Sequence, residues 1–408
     1  MIIKVLKSAL KLVPTDCNYS FMNEKMGPIL VRDKRIQNRG VLFNLALFLK
    51  ELIKETLYIF KHKFIKNKTN IAFYITSENQ YAIAKNIIQD SDVYYHRKES
   101  LSGNRFPLLL SYIISCFFIP LLIHNHIKLS KIKKKLYINK LDYNLLMYGH
   151  YIVCRFLFKN YNMVILLNDH EMWTRVAKIA AEDEGVKTIY IQHASINENF
   201  PVLDFDIAFL DGQYSKDTYK KIGVSNDTQI YLVGSPKYDR YKRDLTAFKD
   251  SRDILLLCVN LKDELELIDN FLKKESSSYE TIILRSHPSD RRNWNKIISK
   301  YNLKKSTNKE IYEDLKLSTR QIASESNVHL DALMSGVMTY YVNFTSSEIQ
   351  DHYDFIKNGL ITLYNEREAL DLEKVKKALK YYMHSIGETY DGRVSQHIKQ
   401  IINEVETK

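Results

Sequence analysis

Hydrophobic positions in the early part of the chain recur with helical spacing. Within residues 41–66, Leu42, Leu45, Phe48, Leu52, Leu57 and Phe60 fall near one helix face, and Lys50, Lys54, Lys61, Lys63 and Lys66 form a basic fringe. Such a helix has two uses: to face a core, or to lie on an anionic membrane. A second stretch, 107–123, carries no charge, contains Pro120, and is followed by Lys131, Lys133, Lys134 and Lys135. It is barely long enough to span a bilayer, and its proline kinks a helix. A buried or re-entrant hairpin, peripheral insertion and a spanning segment all stay open, the basic run favouring the membrane options.

From about residue 138 the period changes. Residues 163–167 read as a buried strand, 172–184 as a helix stopped by Gly185, 188–192 and 207–210 as strands, 215–222 as a helix closed by Gly223, and 230–233 as a strand. After a charged, Tyr-rich connector, 237–252, the pattern restarts. Strands are predicted at 254–259, 281–285, 321–323 and 337–342, and helices at 263–274, 294–301 and 327–334. Strand–helix–strand units with short links predict α/β domains built on parallel, doubly wound sheets. The expected division is 1–245 and 246–408, with a helical tail, 366–406, able to cross back to the first lobe.

Length agrees with this division, since 408 residues exceed one ordinary core and suit two domains. Hydrophobic residues at 45% and charged residues at 26% are ordinary for a globular protein and exclude wholesale disorder. Only 12 glycines and 7 prolines argue against a Gly-rich sandwich or a Pro-rich scaffold. Lys and Arg total 60 against 48 Asp and Glu, a net charge of +12, which favours phosphorylated substrates or anionic lipid. No nucleic-acid-binding motif accompanies the charge, so nucleic acid is not an expected partner. Cys17, Cys116, Cys154 and Cys258 are widely spaced, which suggests neither a disulfide framework nor a zinc site and fits a reducing cytosol. Residues 1–16 lack a long apolar core, so no signal peptide is expected there.

Ligands of open α/β sheets bind beyond the carboxyl ends of the strands, which directs attention to three places. Arg285-Ser286-His287-Pro288 ends one strand; a histidine fixed by a following proline suits hydrogen bonding to a phosphate, or proton transfer. Ser324-Glu325-Ser326-Asn327 precedes the helix that carries Asp331. Hydroxyls and unsatisfied amides at a helix start make an anion cradle, with plain helix capping as the alternative. His193, after the strand ending in Gln192, is a candidate base for an acceptor hydroxyl, with Asp169, His170 and Glu171 as rivals. Asp204 and Asp206 have D-x-D spacing but precede a strand, so no metal site is expected. No P-loop and no dinucleotide fingerprint is present.

The order of these motifs resembles bacterial surface-polysaccharide transferases of the GT-B fold, including the CDP-glycerol glycerophosphotransferases of teichoic-acid and capsule synthesis. GVKTIYIQHAS (185–195) is similar to their strand ending in Gln-His-Gly, with Ala194 for Gly. Gly234-Ser235-Pro236-Lys237-Tyr238-Asp239 is similar to G-x-P-R-x-D, with Lys237 for Arg, and Arg285-Ser286-His287-Pro288 to R-x-H-P. ASESNVHLDALMSG (323–336) is similar to the phosphate-binding serines and acidic helix of the nucleotide lobe. Residues 182–185 also look like the acidic motif of bacterial sialyltransferases, but they are read here as the end of a helix, with Gly185 as its stop. The resemblance spans about 160–345 and implies two Rossmann-like domains facing across a cleft. It implies a metal-independent glycosyltransferase without cofactor, moving a sugar from a nucleotide-activated donor to a capsular or lipopolysaccharide-type glycan at the inner face of the cell membrane. A CDP-polyol-dependent polyol-phosphate transferase and a non-catalytic scaffold are the alternatives. His193, Asp169 and His287 are then the catalytic candidates. Arg285, His287, Ser324, Ser326, Asn327, Asp331 and Gly234 are the donor-binding ones.

Overall fold

The computed structural model describes residues 2–24, 40–58, 69–88, 91–95, 104–240, 243–244, 248–364, 371–384, 389–390 and 392–406. Phe60, Lys61, Lys63 and Lys66, and the expected boundary between 245 and 246, lie outside them.

Two parallel sheets organise the chain. The first contains β1 (Ile71–Ile75), β2 (Asp92–Tyr95), β3 (Asn104–Arg105), β4 (Met163–Leu166), β5 (Lys187–Ile191), β6 (Ile207–Leu210) and β7 (Gln229–Leu232), in the order β3-β2-β1-β4-β5-β6-β7. A two-stranded antiparallel ribbon pairs β8 (Arg243–Asp244) with a strand at Thr389–Tyr390. The second sheet contains β9 (Ile254–Val259), β10 (Thr281–Ser286), β11 (Lys304–Lys305), β12 (Arg320–Ala323), β13 (Met338–Tyr341) and β14 (Thr362–Leu363), in the order β11-β10-β9-β12-β13-β14. Every pairing within these two sheets is parallel. Each order runs outward from its first strand and then reverses, the doubly wound Rossmann-like arrangement. The fold class expected from sequence is the one observed.

The sequence pattern placed helices alone in the early region, and the structure corrects this: β1 is a central strand of the first sheet. All five of its residues are buried, so it shows no alternation, and a run so short does not separate strand from buried helix. The helix Leu141–Phe158 then packs beside the sheet, buried along most of its length. Its contact with the helix Leu108–Cys116 passes through Gly149, where an added Cβ would lie 1.9 Å from the Ser111 carbonyl oxygen. The Ser115 hydroxyl accepts from the Gly149 amide at 3.1 Å. Among the described residues no single helix is long and apolar enough to cross a membrane, while Leu108–Cys116 and Ile119–Lys128 form a pair bent by 72°.

The helix predicted over 41–66 is present as Val41–Tyr58, with a different buried face from the one its leucines suggest. Asn44, Phe48 and Glu55 point inward, whereas Leu42, Leu49, Ile53 and Leu57 are exposed.

The C-terminal segment joins the two sheets. The helix Leu372–Tyr382 stacks Tyr382 on Tyr214 at 4.3 Å, and its end abuts Gly212 so closely that a Cβ there would lie 2.4 Å from the Tyr382 carbonyl oxygen. The last helix, Val394–Glu406, has its Val394 and Ser395 amides capped by Asp239 at 2.9 and 3.0 Å, and Glu406 reaches Asn70 of the first lobe at 3.2 Å. One contiguous cluster of buried apolar side chains runs from β1 and β4 through this tail to β9 and β12.

Candidate active site

Register builds the first part of the site. β9 pairs with β10 residue for residue from Ile254–Thr281 to Val259–Ser286, and β12 pairs with β9 on the other side. The residues just past these strands therefore meet at one edge, where the strand order reverses between β9 and β12. A crevice of about 80 Å³ opens there, lined by Val259, Asn260, Ser286, His287, Ser324 and Ser326 among others. A ligand is expected at such a reversal.

His287 stands exposed at the mouth. Its amide donates to the Val259 carbonyl at 3.0 Å, and its Nδ1 lies 3.1 Å from the Ser289 amide. An N–H facing Nδ1 makes that nitrogen an acceptor, so the neutral ring carries its proton on Nε2 as a donor. Ser324 and Ser326 share the crevice but not a role. The buried Ser324 hydroxyl donates to Asp263 Oδ1 at 2.5 Å, and Asp263 Oδ2 also accepts from the Asn260 amide at 2.6 Å. Burial raises the Asp263 carboxyl, opposed by these two donors and by Arg292. Ser326 Oγ accepts from the Val328 amide at 3.4 Å, which leaves its own proton to donate. The helix Val328–Ser335 starts here, its first amides donating to the Ser326 hydroxyl and to the Ser326 and Asn327 carbonyls.

Beside it, burial and Asp351 push the Glu325 carboxyl up to about 7, against the amides of His352 and Tyr353 and the charge of Lys262. Glu325 Oε1 and Asn327 Oδ1 are buried without a hydrogen-bond partner. Arg285 also lines the crevice, yet its guanidinium turns away to Asp314 Oδ2 at 2.5 Å, Ser306 Oγ at 3.1 Å and two carbonyls.

The tips of β4 and β5 carry the second part, again where the strand order reverses, here between β1 and β4. Asn168 Oδ1 accepts from the amides of His170 and Glu171 at 2.9 and 2.8 Å, a turn that starts the helix Met172–Glu182. Asp169 is buried. Its Oδ1 accepts from His170 Nδ1 at 2.9 Å and its Oδ2 from the Tyr219 hydroxyl at 2.5 Å. Burial pulls the His170 pKa down, but the hydrogen bond and charge of Asp169, helped by Glu171, outweigh it and the pKa is raised. His193 is its neighbour. Burial, then the charge of His170, lower its pKa to about 4, against Asp169 and the Leu167 carbonyl. Its Nδ1 is buried without a partner.

Gly234 and Asp331 belong to a third place, the contact between lobes. Gly234 (φ 82°) lies between β7 and the short 3-10 turn Pro236–Tyr238. From that turn Lys237 Nζ pairs with the Asp331 carboxylate, and the Tyr238 hydroxyl donates to it at 3.1 Å. The carboxyl edge of the first sheet thus rests on the helix that opens at the crevice.

The structure therefore gathers His287, Ser324 and Ser326 at one crevice, with Asn327 at the start of the adjoining helix, and groups Asp169 with His193 at the β4 and β5 tips. It sets Gly234 and Asp331 apart from both. The sequence reading passed over Asn260, whose Nδ2 donates to the Glu325 carbonyl at 3.1 Å; its place directly after a strand of six hydrophobic residues was the available signal. Asp204 and Asp206 are engaged by Arg175, Lys178 and Thr188. The described residues contain no group of three or more His, Cys, Asp or Glu able to hold a metal ion.

No protein-family model matches the sequence, and no curated protein matches it. Among solved structures, the chain is similar to a UDP-GlcNAc 2-epimerase from Methanocaldococcus jannaschii (TM-score 0.48, 12% identity, 82% of this chain and 99% of that chain). It is also similar to the wall teichoic acid polymerase TagF soaked with CDPG (0.48, 12%, 88% and 96%). A third is CalG4, the calicheamicin glycosyltransferase (0.44, 8%, 83% and 95%). At these identities the likeness is one of chain path.

Proposed function

We propose that this chain is a glycosyltransferase that takes a nucleotide-activated sugar at the β9/β12 crevice and passes the sugar to a surface-glycan acceptor. The observation that carries this reading is the convergence of the His287 Nε2–H and the Ser326 hydroxyl, beside the start of the helix Val328–Ser335, at a strand-order reversal. Each is a donor suited to a diphosphate, and together they stabilise the negative charge that grows on the leaving nucleotide. The proton of the acceptor hydroxyl is taken at the β4 and β5 tips, where Asp169, His170 and His193 cluster.

The acceptor side lies near a membrane in this reading. Exposed apolar side chains gather on the N-terminal helices: Leu42, Ile53 and Leu57 with Phe117, Ile123 and Ile127, and Lys128, Lys131, Lys134 and Lys135 follow the last of these. An apolar face fringed by lysines suits an anionic lipid surface.

Incubation with nucleotide sugars and CDP-polyols, reading release of free nucleotide, tests the reaction. Release from a nucleotide sugar, undiminished by EDTA, is the expected result. Release from a CDP-polyol alone makes the chain a polyol-phosphate transferase, and no release with no thermal shift from CMP, CDP or UDP leaves a scaffold. His287→Ala loses a hydrogen bond to a charged group, about 1.5–3 kcal/mol, so nucleotide affinity falls roughly ten- to a hundredfold.

A further inference from the structure

Groups from four segments of the chain fix one imidazole in the first lobe. His170 follows β4 at the reversal of strand order. The Ser20 amide and hydroxyl, from the N-terminal segment, hold its carbonyl at 3.1 and 2.7 Å. The ring of Phe200 meets its ring edge-on at 4.6 Å. Asp169 takes the proton of Nδ1, and Tyr219, on the helix Gln213–Ile222, holds the far oxygen of the same carboxyl group. With Nδ1 committed as a donor, the lone pair of the neutral ring is on Nε2, where the Asn168 side-chain amide faces it at 3.5 Å and an acceptor hydroxyl has to displace it; the side chain keeps 19% of its surface exposed.

We propose that His170, oriented by Asp169 and Tyr219, is the general base of the transfer, and that His193 is its neutral neighbour rather than the base. This rests on the transferase reading above. A buried carboxyl group cannot reach an acceptor while both its oxygens are occupied, which assigns Asp169 to positioning. His193 is disfavoured as a proton carrier because its Nδ1 is buried without a partner to hold an added proton and the charge of His170 beside it opposes one. In the step, Nε2 takes the proton of the acceptor hydroxyl while that oxygen's electron pair forms the bond to the transferred sugar carbon. The bond between that carbon and the diphosphate oxygen breaks, and its electron pair leaves on the nucleoside diphosphate. The new imidazolium is held by Asp169 and gives its proton to water before the next turn.

The groups facing His170 are Asp169 and Glu171 on its own segment, Arg175 on the following helix and His193 at the β5 tip. Tyr219 stands behind Asp169. Burial lowers the His170 pKa, but the carboxylates together outweigh it, so the base loses its proton above the ordinary histidine value and the acid limb of kcat/KM moves up with it.

The test compares His170→Gln, Asp169→Asn and His193→Gln with the wild-type chain on whichever donor the panel shows to be turned over, with nucleotide binding as the control for folding. His170→Gln is expected to lower kcat about a hundredfold or more, to abolish the acid limb, and to leave nucleotide affinity unchanged. Asp169→Asn is expected to shift the acid limb to lower pH, and the 13C NMR titration of the His170 ring is expected to move with it. His170→Gln within about threefold of wild type, with His193→Gln inactive but still binding nucleotide, overturns the assignment and leaves the transferase reading standing. A wild-type chain that releases nucleotide from no donor overturns that reading itself, whatever the ring titration shows.

Discussion

Arg285, Ser324 and Ser326 line one crevice, but the hydrogen bonds they already make sort them into different duties. Arg285 neutralises Asp314, whose side chain is only 2% exposed, and removing one partner of such a pair costs about 3–5 kcal/mol. Ser324 satisfies Oδ1 of the buried Asp263, and leaving that oxygen without a donor costs about 1–3 kcal/mol. Among the described residues, no group takes the Ser326 proton. Arg285→Met and Ser324→Ala should therefore lower Tm, whereas Ser326→Ala should leave Tm unchanged and weaken CDP or UDP binding several-fold. Thermal melts with and without nucleotide check this, and a Ser326→Ala chain that binds normally removes the hydroxyl from the site. His287 was legible in the sequence because a strand plainly ended in His-Pro. The commitment of Arg285 was not. Its partner sits on Ile311–Leu317, a helix too short to show a period, and only the fold brings the two together.

At the scale of elements, the helix Val41–Tyr58 separates two ideas that amphipathicity usually joins. Its buried stripe includes Asn44, which donates to the Ile138 carbonyl at 2.7 Å, and Glu55, which pairs with Arg105 at 2.7 Å. Leu42 is 83% exposed and Leu57 70%. A leucine periodicity therefore announced a helix correctly and its inward face only in part: Phe48 and Leu52 do pack inward, while paired polar groups took the other core positions. The strands of 71–105 were hidden for a related reason: burial on both faces removes the alternation that marks a strand. Replacing Leu42, Ile53 and Leu57 together by Gln removes nothing from the core and should leave Tm within about 2 °C, since surface changes usually fall within ±0.5 kcal/mol. If this face meets lipid, the variant should sediment poorly with vesicles of anionic phospholipid that retain the wild-type chain. Equal retention of both chains removes the helix from any membrane contact.

For the whole molecule, the parallel sheets and the return of the tail were readable from strand–helix alternation and the position of the last helices, but the join between lobes was not, since residues from four segments compose it. Asp211, buried at the end of β6, is at its centre. Its amide is held by Gln192 at 3.0 Å, its carbonyl by the His384 amide at 2.7 Å, and its carboxyl faces Ser235 and Lys237. Burial pushes that carboxyl up to about 8, and the charge of Lys237 and the Ser235 hydroxyl only partly oppose it. Lys237 is itself paired with Asp331. A raised carboxyl means that the folded chain binds this proton more tightly than the unfolded one. The contribution to stability is complete below the unfolded value near 4 and is lost as pH climbs through 8. Asn mimics the protonated side chain at every pH. The Tm of Asp211→Asn minus that of the wild type should therefore increase from pH 5 to pH 9, by about 2–4 °C for each kcal/mol recovered. Other groups at the join, such as His384, titrate alike in both chains and cancel in the difference. A difference that stays flat across that range would mean that Asp211 is ionised in the fold, and that Lys237 holds the lobes through it rather than through Asp331 alone.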